Sequence, residues 1–561
     1  MVQLTFAVSA LLLAFYVVKF VSRTPIHDEF SNALYLFAEP PLPVEKYWDQ
    51  HNEHRIPLPR VLYFTAVKLA GNDFRAPPIL NVFLLTAAVA FFLHAIKTMR
   101  GSTSLADATL PLGLLTVGQY GNLLWGFQVQ FIASSALTIV MLGLVASPGI
   151  VRSPMRLSGL GLCGTLLPMC GMNGVAFAPG LALGLLIVGG LNLKSREIRT
   201  GLVALFWAIA IFAICAAYFH GLVDPPHHQK AHGSLKDAAI GTVNLIGASF
   251  GPVVRWLPPQ PYDGFTAFGI LGTILVAATG GILIRGTLDS DRRAHAILLG
   301  GVLVGFLGLA AGIAKGRAGL SNVLDPNRYV SLMLPMLAGV YAVWTAFGFT
   351  RLPRILAAII ALCAVPNAII GWKEAKLVTH CPRHVELDVQ SGLPIEFVAD
   401  RNTALYPGEA FYRRDFLHLL RRQGVVPFRD AAPLPKFKEE AVPLRIVRLD
   451  NAVEEAGGIR VTGDTGTAVF ALPERRRIYG FKLTYSGIAG TDPALPNVLS
   501  WAPGGAAPSV MSHVVFNQLE PHPEPTETLV WVQGEVETLR VDPFGRGAHV
   551  KLHKLVLLTC E

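Results

Sequence analysis

The chain has 561 residues, 52% of them hydrophobic and only 15% charged, with a mean hydropathy of +0.46. That composition excludes a soluble globular protein and requires repeated passage through a membrane. The formal charge of +9 is nearly matched by the basic surplus of the loops described below, so nucleic acid is not an expected partner.

Residues 4–22 form an apolar run too long for a signal-peptide core, and VVKFVSR offers no small-residue cleavage site, so a retained first helix is expected. A bilayer core of about 30 Å takes about 20 apolar residues per helix. Further runs of this kind occupy 78–96, 106–120, 129–148, 157–171, 174–191, 201–219, 266–284, 294–314, 329–348 and 355–372, which makes eleven spans. The pair over 157–191 is the least regular, being rich in Gly and interrupted by Pro168 and Pro179.

With the N-terminus inside, the inner loops hold twelve basic residues, from Lys97 to Arg354, against four acids, Asp107, Glu197, Asp289 and Asp291. This satisfies the positive-inside rule. The alternation closes only if 238–257 does not cross, so that segment is expected to be an interfacial or re-entrant helix on the outer face.

An odd number of spans puts the C-terminal part outside as well. A helix is expected over 409–423 and a Pro-rich connector over 427–443. Short alternating runs follow (GIRVTGD, TAVFAL, IYGFKLTY, HVVFN, TLVWVQGEV, TLRVDP, HVKLHKLVLL), separated by turn residues, as in a small β-sandwich. The expected domains are a membrane domain over 1–372, a connector over 373–443 and a sandwich over 444–561.

Four of the six cysteines fall in or beside spans, where a buried apolar thiol is the ordinary reading. Cys381 and Cys560 lie in the exported part, where an oxidising compartment would permit a disulfide and equally two free thiols.

The dense polar clusters all share the outer face in this topology, and the spans lack obvious mid-bilayer charges of the kind that ion-coupled transporters use. Asp28 and Glu29 follow the first span. A carboxylate there can remove the proton of a sugar hydroxyl, too weak a nucleophile otherwise; the plain alternative is an acidic pair capping the next helix. In the second cluster, Trp48, His51 and His54 can stack on sugar rings and Asp49 and Glu53 can accept hydroxyl protons. Beside Asn52, Arg55 or Arg60 can grip phosphate with forked donors, unless the cluster is simply a salt-bridged interfacial helix. The spacing of His51 and His54 is too common to indicate a metal site.

Trp125, Gln128 and Gln130 enter an apolar helix, where the amides need partners from a ligand or, more simply, from a neighbouring helix. The long outer loop with His220, His227, His228, Lys230 and His232 reads first as an exposed polar loop. Arg317, Arg328 and Tyr329 sit near the mouth of a late span, placed either for a lipid phosphate or for ordinary headgroups.

Taken together, HDEF after the first span, NEHRI followed by an arginine, WGFQVQF, and GR with a later RY resemble a bacterial family of polytopic, GT-C-like membrane glycosyltransferases, over roughly residues 1–372. The resemblance implies a polyprenyl-phosphate-linked sugar donor, a glycan or lipid acceptor, transfer on the periplasmic side of the inner membrane, and inverting displacement assisted by a carboxylate in the first outer loop. On this sequence the acidic motif falls on Asp28 with Glu29 beside it, and the RY motif on Arg328. The expected roles are Asp28 as base, Glu29 or Glu53 orienting the acceptor, and Arg328 with Arg55 on phosphate. Basic residues can offset the charge of the departing phosphate, so a divalent metal fits this reading without being required by it. The tail resembles, more loosely, β-sandwich modules appended to cell-surface polysaccharide enzymes. Two competing readings are a polysaccharide polymerase or ligase that uses lipid-linked oligosaccharide, and a non-catalytic lipid or glycan transporter.

Overall fold

The computed structural model describes all residues except 42, 224–230, 256–265, 321–326, 403–409, 456–457, 464–465, 489–496, 503–512, 517–523, 543–546 and 561. His227, His228 and Lys230 of the polar loop therefore lie outside the described residues, as do the side chains of Cys381 and Cys560. The chain divides into two compact units, Met1–Arg383 and His384–Glu561.

Among the described residues of the first unit, nine helices are long and apolar enough to cross a membrane. They are Val2–Phe20, Ala76–Arg100, Gly126–Ala146, Met172–Lys194, Ile198–Phe219, Ala267–Leu288, Arg293–Arg317, Arg328–Ala346 and Arg351–Val378. The two further spans expected, 106–120 and 157–171, are not long helices. Over the first of them the chain forms only short pieces, Leu105–Ala108, Thr109–Leu114, Val117–Gln119 and Tyr120–Leu123. Local side chains compete for its backbone: the Thr116 hydroxyl accepts from Gly118 N (3.1 Å) and Gln119 Nε2 donates to Leu114 O (2.9 Å).

This broken segment still runs beside the full length of Ala76–Arg100. At one end Asp107 accepts two bonds from Arg100 (2.9 Å each), and towards the other Asn81 Nδ2 donates to Asn122 O (3.2 Å). Irregular backbone at that depth is tolerated because Leu114–Tyr120 is buried within the protein. The second exception, Pro154–Leu166, is a 13-residue helix continued by the turn Pro168–Cys170. It starts where Asn192 Nδ2 donates to Val151 O (2.8 Å) and ends at Met172, so it follows Met172–Lys194 from end to end.

The segment expected not to cross forms the short helix Leu235–Gly247 and two tight turns, Ala248–Phe250 and Pro252–Arg255. Asn367 holds those turns, its Oδ1 accepting from Val253 N and its Nδ2 donating to Phe250 O (2.8 Å each).

Met172–Lys194 and Arg293–Arg317 meet backbone to backbone through glycines. A Cβ on Gly180 would sit 2.6 Å from Gly301 O and 2.7 Å from Gly305 N. Small residues that allow such an approach are a means of packing helices in lipid. Gly180→Leu is expected to separate the two helices, costing at least the roughly 1–3 kcal/mol of an overpacked core, and to appear as loss of the monodisperse peak in detergent chromatography or a lowered melting temperature.

The second unit begins within the helix His380–Gln390, which the helices Ile395–Arg401 and Ala410–Arg422 follow, the last close to the expected 409–423. With the hairpin strands β1 (Gln50–His51) and β2 (His54–Arg55) of the first unit counted first, its strands are β3 (Phe437–Val442), β4 (Arg445–Asp450), β5 (Ala452–Glu455), β6 (Gly458–Val461), β7 (Thr467–Ile488), β8 (Asn497–Ala502), β9 (His513–Phe516), β10 (Thr526–Asp542) and β11 (His549–Cys560). They pair antiparallel in the order β5-β6-β11-β7-β10-β8-β9, with β3 on β11 and β4 on β7.

The two layers of the expected sandwich are thus joined into one ladder. β7 and β10 are long enough to serve both: β11 pairs with the 480–488 half of β7 and β4 with its 467–471 half. The irregularity between these halves, where Ala471 pairs with Thr538 and Arg476 with Val536, contains Pro473, which has no N–H to give to a ladder. β3 lies within the segment expected to be a connector.

Candidate functional site

The first side of the site is the HDEF loop. His27 adopts a positive φ of 45° and turns the chain into the helix Glu29–Leu36. Asp28 stands at the N-cap, yet its side chain makes no capping bond. The carboxylate is one-third exposed and faces His51, with Oδ1 3.7 Å from Nε2. Capping therefore does not account for it.

Glu29 points the other way and is buried. Its Oε2 accepts from Ile26 N (2.9 Å) and its Oε1 from the Tyr63 hydroxyl (3.0 Å), and the main chain of Phe127 adds a third hydrogen bond. Burial pushes its carboxyl up to about 8, against the opposing effect of these bonds.

The opposite side is a hairpin, β1 against β2, in which Gln50 pairs with Arg55 and His51 with His54. Asn52 at its tip has a φ of 48°, a conformation that Asn tolerates better than most residues. Two arginines fix this hairpin. Arg55, expected on phosphate, is committed instead to three carbonyls: Nε donates to Tyr218 O (3.1 Å), one terminal nitrogen to Trp48 O (2.8 Å) and the other to His220 O (2.9 Å). Arg60, fully buried, donates to Lys46 O, Tyr47 O and Asp49 O (3.3, 3.0 and 2.5 Å). All three bonds come from one terminal nitrogen, to carbonyls in and just after the 3₁₀ turn Val44–Trp48, and Nε is buried without a hydrogen-bond partner. Trp48 contributes its carbonyl to the clamp.

What the hairpin presents is His51, Glu53 and His54. His54 Nε2 lies 3.3 Å from Glu53 Oε1, and a terminal nitrogen of Arg317 lies 4.0 Å from the same oxygen. Arg317 Nε donates to the Tyr329 hydroxyl (2.9 Å), and the Arg328 guanidinium lies 5.4 Å from the centre of the Tyr329 ring. Burial lowers His54 to about 4, the cations Arg328 and Arg317 and the neighbouring His51 adding to the effect while Glu53 opposes it. The imidazole is neutral at physiological pH. Its Nδ1, His51 Nε2 and Arg328 Nε are all buried with no hydrogen-bond partner. Buried polar atoms of this kind ordinarily have partners, so a cluster of them marks a place where a ligand would supply them.

Between the two sides runs the turn Trp125–Gln128. The ring contacts are His27 with Trp125 (5.4 Å), Trp125 with Phe127 (6.1 Å) and Phe127 with His51 (4.9 Å). Gln128 is buried, and no neighbouring helix takes its Oε1, contrary to the simpler expectation; Trp125 Nε1 is likewise buried without a partner.

Sequence reasoning missed the clamp that sets Arg328. Asn122 Nδ2 donates to Arg328 O (2.8 Å) and Ser331 Oγ (2.6 Å), while Asn327 accepts from Gly121 N and donates to Gly118 O (3.1 Å each). Two asparagines flanking apolar helices, Asn122 and Asn327, were the available signal. Asp28, Glu53, His54, Arg317, Arg328 and Tyr329 thus come together, with Glu29 and Gln128 beside them. Among the described residues, no three His, Cys, Asp or Glu side chains are grouped so as to hold a metal ion.

No family model matches this chain, and a search of curated proteins finds no match. Among solved structures, arabinosyltransferase EmbB from Mycobacterium smegmatis is 12% identical, aligned over 100% of this chain and 64% of that one with a TM-score of 0.37. Arabinofuranosyltransferase AftD from Mycobacteria is also 12% identical, aligned over 100% of this chain and 58% of that one with a TM-score of 0.29. The chain thus spans less than two thirds of the length of these proteins. A low-affinity xylan binding module, CBM86, from Roseburia intestinalis aligns over 22% of this chain and 94% of its own length, at 13% identity and a TM-score of 0.17. At these scores the similarity carries no weight for function, which rests on the cluster itself.

Proposed function

We propose that this chain is a GT-C-like membrane glycosyltransferase that moves a sugar from a polyprenyl-phosphate carrier to a hydroxyl of a glycan or lipid acceptor on the periplasmic face. The observation that carries this reading is a partly exposed carboxylate, Asp28, linked through His51 and His54 to Glu53 and Arg317, beside Arg328, whose Nε is buried without a hydrogen-bond partner. The acceptor oxygen attacks the anomeric carbon from the side opposite the lipid phosphate and inverts the centre. Its proton goes to Asp28 as the new bond forms. The bond from the anomeric carbon to the phosphate oxygen breaks, and Arg328 and Arg317 offset the charge on the departing phosphate. Glu53 orients Arg317, with neutral His54 held beside the same carboxylate. The hydroxylated rings have Trp125 and Gln128 as a donor and an acceptor. The β-sheet unit would bind the acceptor glycan or dock a partner.

The test is release of the free lipid carrier, polyprenyl phosphate from a polyprenyl-phosphate sugar or polyprenyl diphosphate from a polyprenyl-diphosphate sugar, by the full chain in lipid nanodiscs. The expected result is release from a polyprenyl-phosphate monosaccharide when acceptor glycan is added, and none from a polyprenyl-diphosphate oligosaccharide. The reverse preference would make the chain a polymerase or ligase. Movement of either lipid across a vesicle bilayer without any bond cleavage would make it a transporter.

A further inference from the structure

Resting on the transferase reading, we propose that Glu29 is a positioning residue: its carboxyl group ties the acidic loop, the helix Pro57–Leu69 and the Trp125–Gln128 turn into one unit, and it takes no proton from the acceptor. Its geometry rules out access to an incoming hydroxyl. The side chain is 3% exposed, and both oxygens are occupied, Oε2 by Ile26 N and Oε1 by Tyr63 Oη. The turn is built to fit against it. A Cβ on Gly126 would stand 2.6 Å from Oε1, so only glycine lets residues 125–128 close over the carboxyl.

Asp28, its sequence neighbour, faces His51 instead, because consecutive residues at a helix start project about 100° apart. The acidic pair therefore divides into one group aimed at the site and one aimed at the scaffold.

The charge state follows from the surroundings. The titratable groups facing Glu29 are Tyr63, on the helix Pro57–Leu69, and Asp28 beside it. Among the described residues no cation pairs with it. On its other flank Glu29 lines a small cavity with Ser22, Thr24, Thr379 and apolar neighbours, where the Thr24 hydroxyl is buried without a hydrogen-bond partner. A carboxyl raised from 4.5 to about 8 holds its proton at neutral pH.

The sign of the linkage is then fixed. The folded chain binds a proton that the unfolded chain releases, so this stabilisation is complete below about pH 4.5 and is lost as pH rises through about 8. Above that pH an unpaired buried carboxylate must either draw in water or leave, and the loop carrying Asp28 moves with it.

The test compares wild type, Glu29→Gln and Asp28→Asn in two ways, using the full chain in nanodiscs. Melting temperature is measured from pH 5 to 9 without substrate. Wild type should lose stability as pH rises through about 8, and Glu29→Gln, which keeps shape and neutrality, should not. A wild-type profile that is flat, or one that Glu29→Gln leaves unchanged, overturns the assignment whatever the chain catalyses. In the second arm kcat is followed against pH with a monosaccharide donor. Glu29→Gln should stay within about threefold of wild type at pH 7 and lack the alkaline fall, whereas Asp28→Asn should be slow throughout. A loss in Glu29→Gln as deep as that in Asp28→Asn would make Glu29 the base. Should Glu29→Gln not fold, Gly126→Ala keeps both carboxyls but crowds Oε1; it should lower kcat more than it raises KM, and an unchanged kcat overturns the positioning role. Absence of transfer with every donor sinks the transferase reading and leaves the melting result to decide the state of Glu29.

Discussion

Asp28→Asn is expected to lower kcat by roughly 100-fold to 10,000-fold while the protein remains folded and donor binding is little changed. The substitution keeps the volume and removes the basic oxygen. Nothing in the fold depends on that oxygen: the side chain makes no cap bond, and the helix start is held by the main-chain carbonyl of residue 28, which accepts from Ser31 Oγ (3.0 Å) and Asn32 Nδ2 (2.9 Å). Asparagine also keeps an oxygen near His51 at the 3.7 Å approach, which is longer than a hydrogen bond, and the side chain of residue 28 is one-third exposed, so little stability is at stake. A large kinetic effect with an unchanged melting temperature is therefore the signature of a chemical role. Full activity in Asp28→Asn would refute the base assignment. Since Glu29 is buried, the role would then pass to Glu53, which sits on the hairpin within reach of His54 and Arg317.

The division of labour within HDEF shows what could and could not be read from the chain. That an acidic pair after the first long apolar helix faces a second polar cluster was legible, because motif order and hydrophobic length are local properties. Which carboxylate faces the site was not. It depends on Tyr63, more than thirty residues away, and on Gly126, almost a hundred residues away, which together make a pocket for one of two adjacent acids.

The surroundings of Arg55 were hidden for the same reason: an arginine in a polar loop reads as a free cation until Tyr218 O and His220 O, from the end of another helix, are seen to accept from it. The segment 106–120 has the hydropathy of a span and takes the path of one, but the side chains of Gln119 and Thr116 bond its backbone and break the helix. In the second unit the alternating runs located most strands, yet not that TAVFAL and IYGFKLTY form a single strand, β7, with a register irregularity around Pro473. Partners distant in sequence decide such joins.

Arg328→Lys should weaken the donor step more than the chemical step, with KM for the lipid donor rising by about 10-fold to 100-fold and kcat falling less. Lysine preserves the charge, so long-range attraction for the phosphate survives. It loses the planar fork, and with it one charge-assisted hydrogen bond worth roughly 1.5–3 kcal/mol. The surroundings of the two side chains explain why Arg328 is open to such a loss and Arg55 is not. Arg328 is held by its main chain, whose carbonyl accepts from Asn122, and its guanidinium rests near the Tyr329 ring with Nε buried and unpartnered. The backbone fixes its position, leaving the side-chain donors for a ligand. Arg317 differs, since its Nε is already given to the Tyr329 hydroxyl. Arg317→Lys should therefore cost less in KM than Arg328→Lys. Equal effects of the two, or a fall confined to kcat in Arg328→Lys, would remove Arg328 from the phosphate and leave the guanidinium as a packing group against Tyr329.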